Sequence, residues 1–212
     1  MKKTDNPGSN QSFYSVHPAV AMIQAIIKNL PKKTGRSLDE WIQLVKKSGP
    51  SGEKEQRLWL RTEYKLGGTT VSLIVDRASG KGTELASPDA YLKAAPGFVD
   101  AMYSGKKDGL RPIHDELIEI GRVLGPDVKI CPAKTMVPLY RRNVFAEIKP
   151  TTQTRIDLGL ALKNAGIPLS VRLIDTGGLA KGDRITHRFA ISAVEDIDED
   201  VREWLKIAYD LQ

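Results

Sequence analysis

Arg155-Ile156-Asp157-Leu158-Gly159-Leu160-Ala161-Leu162 decides the fold. Ile156, Leu158, Leu160 and Leu162 share one side of an extended chain, and Arg155, Asp157, Gly159 and Ala161 share the other. The pattern returns in 185–192, where Ile185, His187, Phe189 and Ile191 alternate with Thr186, Arg188, Ala190 and Ser192. Successive side chains of a strand point to opposite faces, so period-two alternation describes antiparallel sheet with one face buried. Working outward, residues 128–131, 135–141, 144–149 and 169–174 complete the candidate strands, and nothing outside Val128–Ser192 reads as sheet.

A helix stands on each side of that stretch. Pro112 opens one whose Ile113, Leu117, Ile120 and Leu124 form a single apolar stripe, closed by Gly125-Pro126. Asp198 caps the other, which turns Val201, Trp204, Leu205 and Ala208 inward. Asp198, Glu199 and Asp200 suit its positive N-terminus. The expected fold class is α+β: an N-terminal all-helical module, then an antiparallel sheet of five or six strands flanked by helices. That order is similar to a frataxin-like or YdhG-like topology.

Residues 1–16 are polar and read as a flexible arm. Pro18 then begins a helix to about Leu30, with Ile23, Ile26, Ile27 and Leu30 as its apolar stripe and Pro31 as its break. Ser37-Leu38-Asp39-Glu40 is a capping box for a second helix bearing Leu38, Trp41, Ile42 and Val45 on one face. Gly49 to Gly52 is a turn, and a third helix follows from Glu53 to about Lys65. Leu66-Gly67-Gly68 supplies a C-cap, and Thr69 or Thr70 caps a fourth helix through Val71, Ile74 and Val75. Helix, glycine turn, helix is also the pattern of a DNA-reading helix-turn-helix, with Thr69, Thr70, Ser72 and Arg77 offered to a groove. A small helical bundle needs the same turns. Ala78 to Ser87, with Gly80 and Gly82, reads as a hinge, dividing the chain into arm 1–16, helical module 17–85 and sheet domain 86–212. Ser87-Pro88 starts a further helix, broken at Pro96.

Thr34-Gly35-Arg36-Ser37-Leu38-Asp39-Glu40-Trp41, with Trp59-Leu60-Arg61 and Leu66-Gly67-Gly68, resembles a bacterial helical module, domain of unknown function 4287. From about residue 91 to the end, the chain resembles domain of unknown function 5655. The stretches that carry this are Lys134-Thr135-Met136, Phe145-Ala146-Glu147-Ile148-Lys149-Pro150, Thr186-His187-Arg188-Phe189 and Trp204-Leu205-Lys206-Ile207-Ala208-Tyr209. Neither resemblance implies a catalytic residue.

The 212 residues carry a net charge of +6, unevenly placed. Residues 1–85 hold 14 basic and 8 acidic side chains, and residues 128–194 hold 11 and 4. Such regions attract anions through their summed field. The single cysteine, Cys131, excludes an intramolecular disulfide and fits a reducing, cytoplasmic setting. The longest apolar stretch, Ala19 to Leu30, is too short and too polar to span a bilayer, so no membrane partner is expected.

Candidate sites follow from this charge. Lys134, Arg141, Arg142, Lys149, Arg155, Arg172, Arg184 and Arg188 form the anion-binding set, because guanidinium forks match phosphate and carboxylate oxygens. Asp115, Glu116 and Glu119 on one helix are the alternative, a weak oxygen site for a hard cation such as iron. His187 and His114 read as core histidines, and Cys131 as an inert thiol despite Lys129 and Lys134 nearby. Gly177 and Gly182 have P-loop spacing, but Asp183-Arg184 stands where Lys-Ser/Thr is needed, so the stretch reads as a hairpin loop. The expected function is that of a non-enzymatic binding protein for an anionic ligand or nucleic acid. A metal-handling protein is the alternative and an enzyme of unknown reaction the third reading; no cofactor is called for.

Overall fold

The structure, a computed structural model, describes residues 13–163, 165–166 and 168–212. Two compact units emerge: Val16–Ala94, and Ala95–Gln212 together with residues 13–15.

The second unit is built on an antiparallel sheet of six strands: β1 Lys129–Ile130, β2 Val137–Tyr140, β3 Val144–Pro150, β4 Ile156–Leu160, β5 Ile174–Asp175 and β6 His187–Ile191. Their order is β1-β2-β3-β4-β6-β5. The central register sets Ile148 opposite Leu158, and Leu158 opposite Phe189. These residues, with Val137, Leu139, Ile156, Leu160 and Ile191, are buried in one core with Leu117 and Ile118 of helix α6 (Arg111–Arg122) and Val201, Trp204 and Leu205 of helix α8 (Glu199–Asp210). Each such side chain contributes roughly 1.5–3 kcal/mol on leaving water, so the alternating residues dominate the stability of this unit. The α+β class expected from the alternation is the observed one.

Two departures from simple alternation shape the unit. A bulge between Leu139 and Tyr140 shifts the register, so that Phe145 and Ala146 are both buried. Phe145 meets Tyr209 of α8 edge-on, with ring centroids 5.6 Å apart. Ahead of β6 the alternation fails. Thr186 is buried and its hydroxyl accepts from Leu162 N at 3.2 Å, whereas Ile185 sits over Gly159. Ile185 therefore lies on the opposite side of the sheet from the one its spacing indicates, because the strand begins only at His187. Of the 169–174 candidate, only Ile174 is strand.

In the first unit, α1 (Pro18–Thr34), α2 (Leu38–Ser48), α3 (Glu53–Thr62) and α4 (Gly68–Ala78) surround a core of Leu30, Trp41, Val45, Leu60, Val71, Ile74 and Val75. The capping box of α2 is complete: Glu40 N donates to Ser37 Oγ at 3.3 Å, and Ser37 N donates to Glu40 Oε2 at 2.6 Å. It contributes about 1 kcal/mol. Helix α1 does not stop at Pro31. It runs on to Thr34, whose hydroxyl donates to Leu30 O and accepts from Trp41 Nε1, and Gly35 closes it at φ 75°. Proline removes one helical donor, and the packing of Leu30 and Trp41 outweighs that loss. Likewise α5 (Pro88–Met102) continues through Pro96. Helix α4 starts at Gly68, capped by Gly67 without a side-chain cap from Thr69 or Thr70. Val71, Leu73, Ile74 and Val75 are all buried, so α4 is the central helix of the bundle. Thr69 is exposed and Thr70, Ser72 and Arg77 are half-buried along the same helix.

The boundary between the units falls inside α5, between Ala94 and Ala95, and the expected hinge at 78–87 holds a 3-10 turn at Thr83–Leu85. Of the expected arm, residues 1–12 lie outside the described residues. Ser15 N donates to Ile130 O at 2.8 Å, and Tyr14 packs on the sheet core, so these two are held in the second unit.

Candidate anion-binding site

Four lysines reach one cleft in the sheet unit. β3 ends at Pro150 and carries Lys149 on its exposed side. The loop between β1 and β2 brings Lys134 and Thr135, and the 3-10 turn Gly105–Leu110 brings Lys106 and Lys107. Lys107 Nζ donates to Pro150 O at 2.6 Å and ties that turn to the end of β3. The cleft measures about 580 Å³, and Thr135 and Gln153 add neutral polar side chains to its wall, while the Ser104 and Thr151 hydroxyls donate to Ala101 O and Asp157 Oδ2. No carboxylate is among its lining residues. Clustered cations repel one another in the empty cleft, and an anion that takes hydrogen bonds from several of them relieves that repulsion.

Two members of the expected anion-binding set, Lys134 and Lys149, thus come together. Most of the others do not. Arg141 donates through Nε to Asp127 Oδ2 at 3.0 Å and lies 4.4 Å over the Tyr209 ring. The Tyr209 hydroxyl, with Arg141, holds the Asp127 carboxyl below its usual range. Arg172 donates to Asp198 Oδ2 at 2.6 Å and to Asp196 O at 2.9 Å. Arg188 Nη1 donates to Asp157 Oδ1 at 2.9 Å, and Arg155 Nε lies 2.9 Å from the same oxygen without the alignment of a hydrogen bond. Arg184 reaches Gln212 Oε1 at 3.4 Å, and Arg142 is exposed at the tip of the turn between β2 and β3. On the expected cationic sheet face, Asp157 sits between Arg155 and Arg188 and offsets part of their charge. Lys106 and Lys107 were visible in sequence only as a dibasic loop. What makes them part of a site is the meeting of that loop with the end of β3, which no local pattern encodes.

The alternative metal set is taken apart in the same way. Asp115 pairs with Arg111 at 2.9 Å, Glu119 with Arg122 at 2.6 Å and Glu116 with Arg202 at 2.6 Å. Among the described residues, no group of three or more His, Cys, Asp or Glu side chains could hold a metal ion. Ligands need free lone pairs facing one point, and each of these carboxylates is turned toward a guanidinium. Burial pushes the Cys131 thiol up to about 12, with Lys129 opposing only weakly, so it is a poor nucleophile. His187 is half-buried, its Nδ1 3.0 Å from Thr186 Oγ1. His114 is buried on α6 against Tyr103, with ring centroids 4.7 Å apart.

Comparison with known proteins gives two family matches. The model of the domain of unknown function (DUF5655) matches residues 99–212, more than half of the chain, and the domain of unknown function (DUF4287) matches residues 22–76. No curated protein and no solved structure matches the chain. No helix among the described residues is long and apolar enough to cross a membrane.

Proposed function

The chain belongs to the DUF5655 family of domains of unknown function, and we propose that its sheet unit binds a phosphate-bearing anion in the lysine cleft. One observation carries this reading: Lys106, Lys107, Lys134 and Lys149 line one concavity of the sheet unit. Thr135 and Gln153 stand beside them as neutral polar partners for oxygen atoms. Ammonium groups bind phosphate as point charges, so the site selects for anionic charge rather than for one planar shape. It acts as a binding module, its wall made of ammonium groups and neutral side chains.

Calorimetric titration of the whole chain with pyrophosphate at low salt tests it. Heat of binding is expected, and the double change Lys106→Gln/Lys149→Gln should weaken it by about tenfold or more, since two charge-assisted contacts are lost. Both side chains are exposed, so the fold tolerates the change. No heat at low salt, or unchanged affinity in the double variant, would sink the assignment. Titration with a short single-stranded oligonucleotide then separates a free phosphate from a nucleic-acid backbone as the source of the anion.

A further inference from the structure

The helical unit has a cleft of its own, of about 870 Å³, enough for a ligand the size of a nucleotide. Its wall is mixed. Met22, Ile26 and Leu66 give it an apolar side, and Lys33, Arg36 and Lys65 give it three cations without a carboxylate among the lining residues. Met22 is 50% exposed, so its side chain is open to a ligand.

Two details single out the cations. The Arg36 guanidinium lies 5.1 Å from the Trp41 ring centroid and 5.7 Å from that of Tyr64, so aromatic faces rather than an acid hold it at the cleft. Lys65 has φ 54° and is the one non-glycine residue with positive φ among those described. Glycine occupies that conformation without penalty, whereas lysine is strained in it. This conformation ends α3, where Leu66 N donates to Leu60 O, and it sets Lys65 at the border of the cleft.

We propose that this cleft binds a small aromatic anion, its flat ring against Met22, Ile26 and Leu66 and its phosphate or carboxylate taken by Arg36 and Lys65. The apolar wall supplies affinity for the ring, and the cations discriminate against the uncharged analogue. The site shares no residue with the lysine cleft.

The test uses the whole chain carrying Lys106→Gln/Lys149→Gln, so that phosphate uptake by the lysine cleft is weakened. Adenosine monophosphate, 2-naphthoate and adenosine are titrated by calorimetry, with tryptophan fluorescence as the second signal, since Trp41 borders the cleft. One or both anions are expected to bind, and which one does so distinguishes a phosphate from a carboxylate ligand. Adenosine should bind about tenfold more weakly than the monophosphate if the phosphate is recognised. Lys65→Gly removes the cation while relieving the backbone, so the variant should melt higher yet bind the preferred anion about tenfold more weakly. Arg36→Gln should weaken it similarly. Binding by neither anion, adenosine bound as tightly as the monophosphate when that is the preferred anion, or unchanged affinity in both variants would overturn the proposal. A failure here leaves pyrophosphate binding at the lysine cleft untouched, and the reverse holds as well.

Discussion

His114 sets a pH limit on the sheet unit. Its side chain is 2% exposed, and neither its Nδ1 nor the adjacent Tyr103 hydroxyl has a hydrogen-bond partner among the described residues. Burial pulls the imidazole down to about 4; Arg111 adds to the shift and Asp115 opposes it. A histidine whose folded pKa lies below its unfolded value takes up its proton preferentially when unfolded, so stability falls as pH drops from about 6.5 toward 4. The full span is worth about 3 kcal/mol, and about 2 kcal/mol of it is lost by pH 5. Urea unfolding at pH 7 and pH 5 checks this: the wild-type chain should lose that much more than a His114→Leu variant. Equal losses would mean that other groups govern the acid limit. The same scale shows why the anion site was only partly legible. Spacing told which residues share a strand face, and Arg155, Asp157 and Arg188 do lie close together. It could not tell that one carboxylate, paired across strands with Ala190, would stand 2.9 Å from both guanidinium groups. Lys149 escaped that pairing, although it faces Asp157 in the register, because the Asp157 carboxylate is turned to Arg155, Arg188 and Thr151.

Elements were legible where the pattern is long and one-sided. Helices α2, α6 and α8 and strands β3, β4 and β6 each carry an apolar face that only one period explains. The two prolines misled because a proline costs a helix about 3 kcal/mol at most sites but does not forbid it. Pro31 and Pro96 lie in helices whose neighbours, Leu30, Ala95 and Val99, are buried and offset that cost. Close approach between elements was not legible at all. Gly121 of α6 lies under Leu139 of β2, and a Cβ placed there would come within 2.6 Å of Leu139 Cδ1. On an exposed helix, Gly→Ala stabilises by up to about 1 kcal/mol. Here the sign should reverse: Gly121→Ala is expected to cost roughly 1–3 kcal/mol by overpacking. Thermal melting of the variant decides it, and a raised melting temperature would show that the helix can retreat from the sheet without penalty.

Across the molecule, the net charge of +6 is divided between a basic surplus in residues 1–85 and a balanced remainder. In the sheet unit, much of the arginine charge is bound to carboxylates, and the charge left for a polyanion is concentrated in the lysine cleft. Labelled single-stranded DNA followed by fluorescence polarisation should therefore lose affinity with salt at a log–log slope of about −2, as about three neutralised phosphates require. A slope near zero would detach the positive charge from any polyanion, and one far steeper would enlist the basic residues of the helical unit as well.

The placement of the unit boundary within α5 bears on how this protein can be cut. Every peptide bond between Pro88 and Met102 lies in a hydrogen-bonded helical turn, so the seam between the units offers a protease no extended stretch to grip. A truncation made at Ala94 would leave helical carbonyls without donors on one piece and amides without acceptors on the other. Limited digestion should accordingly spare the seam, and a fragment meant to report on the sheet unit keeps its first helix whole only if it begins before Pro88.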